Sequence, residues 1–374
     1  MPTTANPFTP SFGITPPLLV GRDMEITALR RALVNGPGDP ARAMLLTGQR
    51  GTGKTVLLNA LEDTAAELGW MVVSEIVQPG LAEELTRTVF PQMLAALDPD
   101  HATSSVTGVS ASVLGIGGGL TRQVVERYPI EPSLRQQLEA LARLQAQSDK
   151  GVFISLDEVH RDEINELKPL FHAIQQCFRQ GLPVAFCAAG LPAAISGLLS
   201  ENVLTYLRRA DRFQLGPVPD ALVSAGLAEP IERAGRTITK EALGLAVDAI
   251  QGYPFLIQVV GFELWEANRS ATEIGADAAE TAVLRAAGTA RRLVHEPALA
   301  DLSEADRRFL IAMAHQGAEP VRIASIMAGL GATRDHVNKY RSRLIAAEVV
   351  EPAGRGLLRF TIPFLADHLR SLDS

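Results

Sequence analysis

The sequence predicts an α/β protein. A parallel sheet covered by helices is followed by an all-helical region and a small C-terminal module of three helices and a β-hairpin. Three observations lead there. Short apolar runs at 43–46, 71–76, 152–156 and 183–189 alternate with stretches of helical periodicity, the pattern of strands buried on both faces. A glycine-rich segment joins the first run to a helical stretch beginning at Val56. Strand signals stop after Gly216-Pro217-Val218-Pro219, and the composition shifts again near Leu302.

The elements follow in order. Residues 1–17 carry Pro2, Pro7, Pro10, Pro16 and Pro17 and read as an extended tail that Phe12 and Ile14 could dock. Ile26, Leu29 and Leu33 recur at helical spacing, and Gly36-Pro37-Gly38-Asp39-Pro40 ends that helix. Strands at 43–46 and 71–76 are followed by a helix over 81–97. Residues 98–132 are the least legible: alternation over 106–114 suggests a strand or hairpin, and the glycines at 115–119 a turn. Helices over 134–146 and 166–180 flank the apolar strand that ends in Asp157-Glu158, and a fourth strand covers 183–189. Residues 220–297 read as helices only. In the C-terminal module, helices over 302–313, 322–329 and 333–347 precede strands at 349–352 and 357–362, which turn at Gly354-Arg355-Gly356. Ser303 and Thr333 are expected caps, with Val337, Tyr340, Leu344 and Ile345 facing inward.

Composition sets bounds. A chain of 374 residues suggests two or three domains, and 47% apolar with 21% charged residues reads as globular. The net charge of −7 argues against a protein that simply coats nucleic acid, while leaving room for a local basic patch. Cys177 and Cys187 sit in apolar runs and read as buried reduced thiols. Neither a leader-peptide pattern nor a membrane-length apolar run is seen, so a cytoplasmic protein without membrane contact is expected.

The glycine-rich segment carries the chemistry. Gly48-Gln49-Arg50-Gly51-Thr52-Gly53-Lys54-Thr55 fits G-x-x-x-x-G-K-[ST] at every fixed position, between a strand and a helix. Glycines let the backbone wrap a phosphate with its N–H groups pointing inward, and the helix start beyond Val56 adds positive potential. Lys54 can reach the β- and γ-phosphates and the Thr55 hydroxyl can hold Mg2+. About a hundred residues on, Asp157 is the expected second Mg2+ group, and Glu158 the base that orients and deprotonates the attacking water. A helix-capping acidic pair is the plainer alternative. No N-K-x-D box is present, which favours ATP over GTP. This is the constellation of a P-loop nucleotide hydrolase.

From about residue 18 onward the chain resembles the AAA+ superfamily, particularly the signal-transduction ATPases with numerous domains (STAND) and archaeal-type initiator ATPases. Val20-Gly21-Arg22-Asp23-Met24-Glu25 is similar to their hhGRxxE box, which implies that Val20, Gly21 and Arg22 lie near the adenine. Gly252-Tyr253-Pro254 is similar to the GxP motif of the STAND lid, which implies that Pro254 lies close to the nucleotide. Arg208 and Arg209, with Arg212, follow a helix after the fourth strand, where similar ATPases offer an arginine finger to a neighbouring subunit. Two features depart from the pattern. The strand end Cys187-Ala188-Ala189-Gly190-Leu191-Pro192 lacks a polar sensor, and the lid lacks the usual second-sensor arginine, so slow hydrolysis is expected.

The C-terminal module looks like a winged helix, with the helix over 333–347 as its recognition element. Over 321–359 seven cations (Arg322, Arg334, Lys339, Arg341, Arg343, Arg355, Arg359) stand against three anions (Asp335, Glu348, Glu351). Arg334, His336, Asn338, Lys339 and Arg341 are candidates for the groove of double-stranded DNA and Arg355 for phosphate at the wing; a protein partner or autoinhibitory packing is the alternative. The expected organisation is a tail at 1–17, a P-loop ATPase core at 18–216, a helical lid at 217–297 and a winged helix at 298–374. The leading expectation is a slow, Mg2+-dependent ATPase that binds ATP and ADP as a nucleotide-controlled regulatory switch, with a homo-oligomer as a candidate partner state. A DNA-binding initiator- or transposition-type ATPase and a non-catalytic ATP-binding scaffold are the alternatives.

Overall fold

The computed structural model describes residues 5–11, 15–16, 18–97, 132–300, 302–317 and 320–372. The expected docking of Phe12 and Ile14, the hairpin at 106–114 and the glycine turn at 115–119 lie outside the described residues. The chain divides into two compact units: Met24–Thr47 with Leu58–Gln214, and Met1–Asp23 with Gly48–Leu57 and Leu215–Ser374.

The first unit is built on a sheet of five strands: β1 (Ala43–Gly48), β2 (Met71–Ile76), β3 (Val152–Val159), β4 (Val184–Gly190) and β5 (Asp211–Leu215). Their order is β2-β3-β4-β1-β5, with β2–β3, β3–β4 and β4–β1 parallel. Every residue of β4 is buried, as expected of a central strand covered on both faces. Thr47 and Val159 both pair with Gly190, so β1 and β3 end at the same edge of the sheet. The helix Leu134–Ala146 has the boundaries its periodicity predicts. Ser133 and Gln136 close a capping box at its start, and Leu134, Leu138, Leu141 and Ala142 are buried. Cys177 and Cys187 are free and buried, as expected. β5 was not anticipated. It is an edge strand of sequence Asp-Arg-Phe-Gln-Leu, half exposed, and an edge strand needs no continuous apolar run. Arg212 therefore stands on a strand, not at a helix end.

In the second unit the helices Asp220–Arg233, Lys240–Ile250, Pro254–Ala267 and Ala276–Ala290 share a core that includes Val223, Leu227, Ile250, Val260, Leu264 and Trp265. The expectation of helices only is corrected by β6 (Thr237–Ile238) and β7 (Glu273–Ile274), which pair in parallel. Two residues each are too few for a period-2 signal. The N-terminal segment adds to this core. Phe8 is 2% exposed and lies on Gly261, where a Cβ would come within 2.4 Å of its ring. The Asn6 amide donates to the Phe262 carbonyl (3.2 Å) and the Glu266 carboxylate (3.0 Å), and the Thr9 N–H donates to Gln258 (3.1 Å).

The C-terminal part of the same unit has its own core around Phe309, Leu310, Val337, Leu344 and Leu358. Helices Glu304–Ala314, Ile323–Leu330 and Arg334–Ala346 surround an antiparallel sheet of order β8-β10-β9: β8 (Val321–Arg322), β9 (Val350–Pro352) and β10 (Leu357–Phe360). Ser303 caps its helix by accepting from the Asp306 N–H (3.2 Å), whereas the Thr333 side chain makes no capping bond. Val337 and Leu344 are buried, and Tyr340 and Ile345 only partly so. A last helix, Leu365–Leu372, was not anticipated. It is two turns long and shows the core one stripe, Leu365, His368 and Leu369.

Phe8→Ala is expected to lower the unfolding free energy by about 3 kcal/mol, the usual cost of emptying a buried phenylalanine site, as read by urea denaturation.

Candidate nucleotide site

The loop after β1 takes the conformation its glycines allow. Gly51 (φ +75°) and Gly53 (φ +85°) lie in the left-handed region. At Gly51 space is also decisive, because a Cβ would stand 2.1 Å from the Tyr253 hydroxyl. The Lys54 ammonium folds back to donate to the carbonyls of Gly48 (2.7 Å) and Gln49 (2.9 Å), and the Thr52 hydroxyl donates to Gln49 as well (2.7 Å). Lys54 and Thr55 begin the helix Lys54–Glu67.

Two of the motifs meet this loop. Arg22 is buried, and its guanidinium donates to the carbonyls of Thr52 (3.1 Å) and Gly216 (3.2 Å). It thus ties the N-terminal box to the loop and to the segment before the helix Asp220–Arg233. Gly21 takes φ +70° beneath Leu222, and Val20 lies against Gly226. Gly252 takes φ +71° and packs on Val218, whose N–H donates to the Gly252 carbonyl (2.8 Å). Tyr253, between Gly252 and Pro254, donates its hydroxyl to the Arg50 carbonyl at 2.7 Å, and burial pushes that phenol far up. Pro254 opens the helix Pro254–Ala267, and its Cβ stands 4.0 Å from where a Cβ on Gly53 would lie.

The sequence offered no sign of the third contact. The Glu348 carboxylate accepts a hydrogen bond from the Arg50 N–H (3.2 Å), and the Gln49 amide donates to Glu351 (3.3 Å). Glu348 follows the helix Arg334–Ala346 in a Schellman turn: its N–H donates to Ile345 and that of Val349 to Leu344. Glycine is the usual residue there. Glu348 takes φ +60°, a conformation that costs a non-glycine residue about 1 kcal/mol. It is 8% exposed, and its Oε1 is buried without a hydrogen-bond partner among the described residues. Burial raises its pKa from 4.5 to about 7, outweighing the opposing pull of Lys54, the Arg50 N–H and the Arg50 charge.

The acidic pair lies in the other unit. Asp157 and Glu158 leave β3 at the sheet edge where Thr47 leaves β1, across a register shift between Leu156 and Val159. Asp157 accepts from the Glu158 N–H (2.8 Å). Glu158 takes φ +55° and contacts His160 at 3.3 Å. Behind the strand, Ser155 and Ser74 both donate to Glu62, which follows the loop on the same helix. Cys187, at the expected sensor strand, is fully buried, and burial, then the charges of Asp157 and Glu62, push its thiol well up. The end of β4 thus presents no polar side chain, as its sequence implied.

The arginines divide by their partners. Arg208 is exposed and donates to the Leu199 carbonyl (3.1 Å), Arg212 donates to Arg208 (3.0 Å), and Arg209 is exposed. In the C-terminal module Arg334, His336, Asn338, Lys339 and Arg355 are exposed and Arg341 is partly buried. Two cations counted there are engaged internally: Arg343 with Asp306 (2.6 Å) and Arg359 with Glu351. The positive excess available at the surface is smaller than the sequence count suggested.

Comparison with known proteins bears on these residues. Residues 18–186 match the AAA ATPase domain family. That match spans the N-terminal box, the phosphate loop and the acidic pair, and stops before Arg208 and Gly252. Residues 292–369 match a domain of unknown function (DUF8462). No curated protein sequence matches the chain significantly. Among solved structures, a Walker-type ATPase of Pyrococcus abyssi superposes with a TM-score of 0.61 at 16% identity, covering 94% of this chain and 96% of that one. The Aeropyrum pernix ORC2 protein, determined as ADPNP–ADP complexes, gives 0.59 at 17% identity, with 97% and 95% covered. At such identity the likeness is one of fold: the five-stranded sheet with its helices is the P-loop fold of these ATPases.

Glu348 predicts a pH dependence. The folded chain holds this proton up to about pH 7 and the unfolded chain only to about pH 4.5. The buried charge therefore costs stability above pH 7, and that cost disappears as pH falls between the two values. Glu348→Gln should gain up to about 3 kcal/mol on the wild-type protein between pH 5 and pH 8. Parallel denaturation curves at the two pH values check this.

Proposed function

We propose that the chain is an ATP-binding switch that hydrolyses ATP slowly and transmits its nucleotide state to a C-terminal winged helix. One observation carries the reading: the phosphate loop is held at once by the N-terminal box through Arg22, by the lid through Tyr253 and by the C-terminal module through Glu348 and Glu351. A change at the loop would reach all three.

The loop suits an anion, since its Arg50 N–H already donates to a carboxylate oxygen. Residues Gly48 to Val56 would cradle the phosphates, with Lys54 swung out from the Gly48 and Gln49 carbonyls toward the β- and γ-phosphates. Val20, Gly21, Arg22 and Pro254 would border the nucleotide. Thr55 and Asp157 would hold Mg2+, which when bound neutralises phosphate charge. Glu158 would turn from His160 to orient the attacking water and take its proton. Arg208 or Arg209, both exposed, would serve a neighbouring subunit in a homo-oligomer. The apolar end of β4 removes one group that would otherwise stabilise transferring charge, which supports slow turnover.

Lys54→Ala should abolish binding of a fluorescent ATP analogue. Glu158→Gln should bind it like the wild type and lose at least about 100-fold in hydrolysis, the usual weight of a general base. Equal hydrolysis by Glu158→Gln would refute the base assignment and favour the scaffold reading.

A second reading, a DNA-binding initiator-type ATPase, is favoured by the exposed row Arg334, His336, Asn338 and Lys339 on one helix, with Arg355 at the hairpin turn. A gel shift with mixed duplex DNA tests it. Binding that weakens steeply with salt and is lost on Lys339→Glu with Arg355→Glu supports that reading; absent or salt-insensitive binding removes it.

A further inference from the structure

The Glu348 contact differs from the other two made to the phosphate loop. Arg22 and Tyr253 donate to loop carbonyls, acceptor groups that a phosphate oxygen does not need. Glu348 instead presents an oxygen to an amide, the group a phosphate would need. It does so from a backbone position where glycine would be at ease and a glutamate is strained. Its second oxygen is buried without a hydrogen-bond partner among the described residues. Glu351, two strand positions from Val349, holds the neighbouring loop residue Gln49 through its side chain. A residue kept only to end the helix would be better served by glycine, and one kept only for packing would not be a carboxylate.

We propose that Glu348 is a built-in phosphate surrogate: its carboxylate occupies a loop amide that would otherwise serve a phosphate, so that ATP and the C-terminal hairpin compete for the same place. This rests on the ATP-switch reading and gives it a direction. Nucleotide entry expels Glu348 and frees the helix Arg334–Ala346 and the hairpin of β9 and β10 from the loop. Nucleotide loss lets them return. A triphosphate and a buried carboxylate at one amide repel each other, so the two states exclude one another without any further device.

The test measures binding of a fluorescent non-hydrolysable ATP analogue at pH 8 to the full chain, to Glu348→Gln, to Glu348→Gly and to Lys54→Ala. Glu348→Gly removes the acceptor altogether while relieving the left-handed strain, so the turn at the helix end is kept. If the closed state holds nine molecules in ten, Glu348→Gly should bind about tenfold more tightly than the wild type, whereas Glu348→Gln, whose amide oxygen can still accept from the Arg50 N–H without the cost of a buried charge, should bind no more tightly than the wild type. Hydrogen exchange should show residues 344–360 less protected in the wild type when the analogue is bound, and already less protected in Glu348→Gly without it. Wild-type binding that Lys54→Ala loses but that Glu348→Gly leaves unchanged would overturn the surrogate and spare the ATP reading. Nucleotide-induced protection of residues 344–360 would also overturn it. Absence of binding by every variant would overturn the ATP reading itself.

Discussion

The backbone of Arg50 is gripped on both sides of its Cα, its carbonyl by the Tyr253 hydroxyl and its N–H by the Glu348 carboxylate. Much of the second unit is arranged around that grip. A glycine-rich loop that aims its N–H groups at a ligand leaves its own polar groups without the partners a helix or strand would supply. In a buried setting each unpaired group costs about 1–3 kcal/mol. Here the partners come from far along the chain. Arg22 serves Thr52, Lys54 serves Gly48 and Gln49, Tyr253 serves the Arg50 carbonyl and Glu348 the Arg50 amide. The loop thereby becomes a junction of the N-terminal box, the helices that follow Gly216 and the C-terminal module, because its chemistry leaves it wanting donors and acceptors.

The glycines make the junction possible. Gly51 must be bare for Tyr253 to reach Arg50, and Gly252 must be bare for Val218 to lie beside the turn before Tyr253. Phe8 uses a third gap, at Gly261, to bind the N-terminal segment onto the helix that Pro254 begins. Close approach of backbones and rings ties these pieces together, and a single methyl at any of the three positions would push them apart.

Much of this fold was legible in the sequence. Four of the five sheet strands, the helix Leu134–Ala146 and the Ser303 cap follow from apolar runs, periodicity and capping chemistry, which are properties of neighbouring residues. The missed elements share a cause. β5, β6, β7 and β8 are short or at an edge and exist because a partner strand offers hydrogen bonds, not because their side chains alternate. Thr333 had the right residue type and spacing for a cap, yet its side chain makes no capping bond. The charge count over 321–359 misjudged the surface because Arg343 is spent on Asp306, a residue outside that window.

At the site the division is sharper. Local sequence determined the loop, its glycines, Lys54 and Thr55, since the groups that would cradle a phosphate are contiguous in the chain. It also marked Arg22, Tyr253 and Pro254 by their motifs, without saying what each would touch. Glu348 and Glu351 carried no mark: they are two glutamates near a helix end, counted as ordinary surface charge. Only the tertiary structure brings Glu348 to the Arg50 amide, about three hundred residues away in sequence. A phosphate cradle can be written in eight consecutive residues, but what answers its exposed amides depends on which distant carboxylate the fold buries beside it.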